Sequence, residues 1–126
     1  MKSTQGNEAI VIDPELGLEQ VRIIKQAKIN VSAAGDNPAV AAVAHRRIRL
    51  TAQSLSVASD VTVAWMSGTG VGATEVVPPR TFKSGGGIDG NWGPQGYYGH
   101  TEIGEPLTIN LGGAVQVSGV INYIEE

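Results

Sequence analysis

Arg47-Ile48-Arg49-Leu50-Thr51-Ala52-Gln53-Ser54-Leu55-Ser56-Val57-Ala58-Ser59-Asp60-Val61-Thr62-Val63-Ala64-Trp65-Met66-Ser67 is the stretch that decides the fold. Its first residues alternate, Ile48 and Leu50 on one side and Arg47 and Arg49 on the other, the period of two that marks a half-buried strand. Leu55 and Val57 then take the opposite parity, which predicts a bulge or bend near Gln53-Ser54. Past Ser59-Asp60 the alternation resumes, with Val61, Val63 and Trp65 facing one way and Thr62, Ala64 and Met66 the other. Residues 47–67 therefore read as a hairpin turning at Ser59-Asp60.

Upstream, Val21, Ile23, Ala27, Ile29 and Val31 share one parity and Arg22, Lys28 and Asn30 the other, which predicts one strand with a wet face. Gly35-Asp36-Asn37-Pro38 is a dense turn signal. The small apolar run Ala39–Ala44 that follows fits either a strand or a tight loop. Before Val21 the pattern is broken: Ile10-Val11-Ile12 is a small apolar cluster, interrupted by Asp13-Pro14 and Gly17, so residues 1–20 read as an N-terminal arm. Asp13 as a cap, Pro14 as a first helical residue and the spacing of Leu16, Gln20, Ile23 and Ile24 keep a short helix over residues 13–26 as the alternative.

Downstream, Gly68-Thr69-Gly70-Val71-Gly72 reads as a hairpin turn, Glu75-Val76-Val77 as a short strand stopped by Pro78-Pro79, and Gly85 to His100 as loop. Leu107–Leu111 forms a strand, Gly112-Gly113 turns the chain, and Val115, Val117, Ile121 and Tyr123 share a parity in the last strand. Eight or so short strands at turn spacings near ten residues predict an all-β fold. The expected form is an antiparallel β-sandwich of jelly-roll type, with residues 21–126 as one domain behind the arm.

Composition agrees. A chain of 126 residues holds one domain. Aromatics are 5% of the residues, so the core must be built from small and β-branched side chains. Zero Cys removes disulfides, thiolate metal sites and Cys nucleophiles together. A net charge of −3 leaves no global positive field for a polyanion, so no nucleic acid partner is expected. No apolar run approaches the roughly 20 residues of a membrane helix, and Met1–Glu8 has no apolar core for a signal peptide, so no membrane association is expected.

Candidate chemistry is thin. Gly68–Gly72 lacks the Gly-Lys-Ser/Thr and following helix of a phosphate loop. His100, Glu102, Glu105 and Asp89 lie near one another in sequence, but carboxylates three residues apart on a strand or turn face different ways, so neither a metal site nor a glycosidase pair is expected. His45 adjoins Arg46 and Arg47, whose charges discourage a cation. No Gly-x-Ser-x-Gly elbow occurs, and the expectation is a protein with no catalytic residues and no cofactor. Asn30-Val31-Ser32 matches a glycosylation sequon without a secretory context. His45-Arg46-Arg47-Ile48-Arg49 is the one basic cluster, and it reads equally as a solvated strand face or as an ion-paired contact with an acidic neighbouring subunit. Trp92, Tyr97 and Tyr98, set among Gly and Pro, suit a protein interface, a sugar-stacking loop or a plug for the end of the sandwich.

Gly35-Asp36-Asn37 before Ala39–Val43, Arg47–Leu50, Leu55–Gly70, Pro94-Gln95-Gly96-Tyr97-Tyr98, Thr101–Leu111 and Ala114–Tyr123 together resemble small virion proteins of tailed bacteriophages. The likeness covers about residues 30–125. It implies a head decoration or cement protein: a homotrimer on the outer surface of the capsid that clamps neighbouring subunits of the major capsid protein. The interface residues expected on this reading are Ile10, Val11 and Ile12 in the arm, Arg46, Arg47 and Arg49, and Trp92, Tyr97 and Tyr98. The alternatives are a tail-fibre or receptor-binding domain holding carbohydrate through the three aromatics, and a small glycan-active enzyme using Glu102 or Glu105.

Overall fold

The structure, a computed structural model, describes residues 8–12, 19–91 and 99–126. It is an all-β sandwich of two antiparallel sheets. The strands are β1 (Glu8–Ile12), β2 (Glu19–Ile23), β3 (Lys25–Val31), β4 (Gly35–Val40), β5 (Ile48–Val57), β6 (Val61–Ser67), β7 (Thr74–Phe82), β8 (Gly87–Asn91), β9 (Gly99–His100), β10 (Leu107–Leu111) and β11 (Val117–Glu125). One sheet has the order β4-β10-β6-β7; the other has β3-β11-β5-β8, with β9 also paired to β5. β1 and β2 form a separate two-stranded sheet, Glu8 opposite Ile23 and Ile12 opposite Glu19.

Setting aside β9, the eight sandwich strands pair in a nested way. β3 pairs with β11, β4 with β10, β5 with β8 and β6 with β7, the first with the last and so inward, as if one long hairpin had been folded over itself. The core between the sheets is aliphatic. Ile48, Leu50, Leu107, Ile109, Leu111, Val117 and Ile121 are sealed from solvent around Trp65, the largest buried side chain. Burial of each such aliphatic side chain stabilises the fold by about 1.5–3 kcal/mol. One polar contact crosses this core: Trp65 Nε1 donates to Gln53 Oε1 at 3.1 Å, joining β6 to β5.

Several sequence expectations need correction. Residues 47–67 are not a hairpin, because β5 and β6 lie in different sheets and Ala58-Ser59-Asp60 carries the chain across the sandwich. Alternation alone describes both arrangements, since each strand needs one inward face. The parity change in β5 is real, but the irregularity sits at Thr51, where Leu50 faces Tyr123 and Ala52 faces Asn122. Gly35-Asp36-Asn37-Pro38 is strand, not turn: β4 is an edge, where a missing Pro N–H does no harm. Likewise Pro78-Pro79 does not stop β7, which is the other edge of that sheet. Both prolines fall at a register shift opposite Ala64.

The strand expected from Val21 is two elements separated at Ile24, and Ile23 is 46% exposed. From Glu19 onward the alternative helix is replaced by β2 and β3; residues 13–18 lie outside the described residues. The expected loop of residues 85–100 contains β8 and β9, and its residues 92–98 lie outside the description. Gly68–Ala73 does join the paired strands β6 and β7, with one 3-10 turn at Gly70–Gly72.

Candidate functional site

At one end of the sandwich two loops are laced together. Gly68 N–H donates to Pro106 O at 2.9 Å, Thr108 Oγ1 to Gly68 O at 2.9 Å, and Glu102 N–H to Ser67 Oγ at 2.9 Å. The Gly68–Ala73 loop then folds back over the outer face of the four-stranded sheet. Its clasp is Asp36, which accepts from Gly70 N–H at 2.8 Å and from Asn110 Nδ2 at 2.8 Å. These two donors, Asn110 first, hold the Asp36 carboxyl below its ordinary value. Val71 at the loop tip is fully exposed and Ile103 in the adjoining loop is 57% exposed, beside the exposed Glu102 and Glu105.

The basic cluster divides. Arg49, between the core residues Ile48 and Leu50, points away from the core yet is only 4% exposed. Its guanidinium meets Glu126 in a two-pronged pair, Nη2 to Oε1 at 3.2 Å and Nε to Oε2 at 3.2 Å. A solvated face is therefore wrong for Arg49, whose acidic partner belongs to its own chain. Arg47 exchanges two backbone hydrogen bonds with Glu126, and Arg46 is exposed. His45 is the turn residue before them, exposed and in the left-handed region at φ 64°. Nearby, Lys25 Nζ donates to Glu125 Oε1 at 2.9 Å, and this contact raises the lysine above its ordinary value. Burial first and the Glu125 charge second raise the Tyr123 hydroxyl.

The residues considered for acid–base chemistry do not converge. Asp89 sits opposite Ser54 on β5, His100 opposite Arg49 nearer the start of that strand, and Glu102 and Glu105 in the exposed loop beyond. Among the described residues no three His, Asp or Glu side chains gather as a metal site. Ile10, Val11 and Ile12 fall on β1, opposite Val21, Gln20 and Glu19. Trp92, Tyr97 and Tyr98 lie outside the described residues.

The outer face of the five-stranded sheet holds a depression of about 390 Å³, lined in part by Gln26, Asn122, Ala52, Ser54, Asp89 and Asn91. Sequence reasoning missed it. Gln26 and Asn122 were legible only as polar residues on alternating strands, and their meeting depends on the pairing of β3 with β11. No protein-family model, curated protein or solved structure matches the chain.

Proposed function

We propose that this chain is a structural protein of a phage particle, which decorates the outside of the capsid and stabilises it by clamping neighbouring major capsid subunits as a homotrimer. The observation that carries the reading is the extra sheet: β1 and β2 pair only with each other among the described strands, and β2 leads directly into β3, an edge of the sandwich. An appendage at a sheet edge suits a clip that reaches a neighbour by strand addition, with Ile10-Val11-Ile12 as its apolar segment. On this reading the arm extends through Ile23. The nested strand pairing supports the jelly-roll form of the sandwich, an architecture shared by capsid and sugar-binding domains. Exposed Val71 and Ile103 add apolar anchors at one end.

Many weak clips suffice, because three linked copies bind with far greater avidity than one. The test uses purified shells and the recombinant protein. Light scattering should give about three times the 13.1 kDa chain mass, and the protein should cosediment with shells and raise their rupture temperature. A chain lacking residues 1–23 should keep its β circular dichroism and attach at least about tenfold more weakly. Equal attachment would remove the arm from the mechanism; a monomer that ignores shells would overturn the reading.

A further inference from the structure

We propose that the outer face of the five-stranded sheet is a binding trough for a neutral saccharide. The argument begins with register. Residues directly opposite one another in an antiparallel sheet share a face, so the pairings define a lattice. One row runs Gln26, Asn122, Ala52, Asn91 across β3, β11, β5 and β8. The next runs Lys28, Val120, Ser54, Asp89, and a third Asn30, Ser118, Ser56, Gly87. Across the first two rows, Ala52, Val120 and Ser54 give a low centre, Gln26 and Asn122 stand toward β3, Asp89 and Asn91 stand on β8, and Lys28 holds the β3 edge of the second row. That arrangement makes a trough, and the depression of about 390 Å³ lies there, floored by Ala52 and Val120 and walled by Gln26 and Asn122 on one side and Asp89 and Asn91 on the other.

The chemistry of the walls selects the ligand class. Carboxamides offer donors and acceptors side by side, and a carboxylate offers acceptors only; together they match vicinal hydroxyls, each of which both donates and accepts. Among the described residues, Asp89 is the only charged one lining the trough. A phosphate or sulfate seated in the depression would meet the Asp89 carboxylate, the Lys28 ammonium on the same face lying outside the lining, and one carboxylate is too few ligands for a metal ion. The methyl groups of Ala52 and Val120 give the C–H face of a sugar ring a place to rest. The volume falls within the range of about 300–1,000 Å³ typical of small-molecule sites.

The walls are already fixed. Gln26 Nε2 donates to Asn122 Oδ1 at 3.3 Å, and Ser54 Oγ donates to Asp89 Oδ1. Side chains held before the ligand arrives reduce the ordering cost of binding. The trough is independent of the decorating role.

The test titrates the ¹⁵N-labelled full chain with glucose, galactose, mannose, N-acetylglucosamine and their β-linked oligomers, with inorganic phosphate and heparin as anionic controls. At least one neutral sugar should shift amides confined to residues 26, 52–54, 89–91 and 120–122. Asp89→Asn and Asn122→Ala should each weaken that sugar at least tenfold. Asp89 is exposed, so its variant tests the site even where Asn122→Ala disturbs folding. Silence across the neutral panel, binding of the anions alone, or binding that survives both variants and is lost in Trp92→Ala would each overturn the proposal.

Discussion

The two outer faces of this sandwich are finished in opposite ways. Over the four-stranded sheet the chain covers itself: the Gly68–Ala73 loop bends back onto Asp36, and Thr108 and Ala64, which point outward from β10 and β6, end 1% and 4% exposed. Over the five-stranded sheet no described residue folds across the polar trough from Gln26 to Asn91. Both faces carry Asn and Asp side chains, so composition does not separate them. The difference is where the hydrogen bonds go. Asp36 spends its carboxylate on a loop backbone and on Asn110, whereas the Asn122 and Asp89 side chains, among the described residues, bond along the sheet surface to Gln26 and Ser54.

The largest expected effect comes from breaking the sheet beneath the open face. A Cβ on Gly119 would overlap the Ser54 carbonyl oxygen, where β11 and β5 approach closely. Gly119→Ala should cost about 2–3 kcal/mol, read as a lower urea midpoint with an unchanged slope; an unchanged midpoint would mean the two strands separate without penalty.

Opening the closed face should cost less. Asp36→Ala removes both clasp contacts and should lower stability by about 1–2 kcal/mol, with faster amide exchange at Gly70 and none of the trough amides affected. Spread of the change into the trough would show that the two faces are coupled. The same clasp should respond to acid. The folded carboxyl titrates below its free value of 3.8, so its stabilisation is present above that pH and is lost as the pH falls through it toward the lower folded value. Stability should therefore fall more steeply between pH 5 and 2 for the native chain than for Asp36→Asn. Parallel slopes would remove Asp36 from the acid response. The smallest effect belongs to the loop tip: Val71→Ser should leave stability within about 0.5 kcal/mol, since the side chain is wholly in solvent. A loss above about 1 kcal/mol would mean that Val71 packs onto the sheet face.

What the sequence revealed follows from what alternation encodes. It marks inward faces, so Ile48, Leu50, Val61, Val63, Trp65, Ile109, Val117 and Ile121 were all readable as core before any pairing was known. It does not name the partner strand, and that is why β5 and β6 looked like a hairpin when they belong to opposite sheets. Pro38, Pro78 and Pro79 read as stops because proline breaks ladders, yet an edge position or a register shift excuses the missing donor. The trough was least legible of all. Gln26 and Asn122 stand 96 residues apart, and only the pairing of β3 with β11 makes them neighbours. Glu126 likewise gave no local hint that it would hold Arg49.

Nested pairing also governs how such a chain comes into being. β3 emerges early from the ribosome but has no sheet to join until β11, with Tyr123 opposite Lys25, has been made. Contacts between residues so distant along the chain close slowly, and unpaired edges stay sticky while they wait. Anything that holds β11 away from the rest leaves β3 and β5 without the strand that joins them, and the whole sandwich stays unfinished.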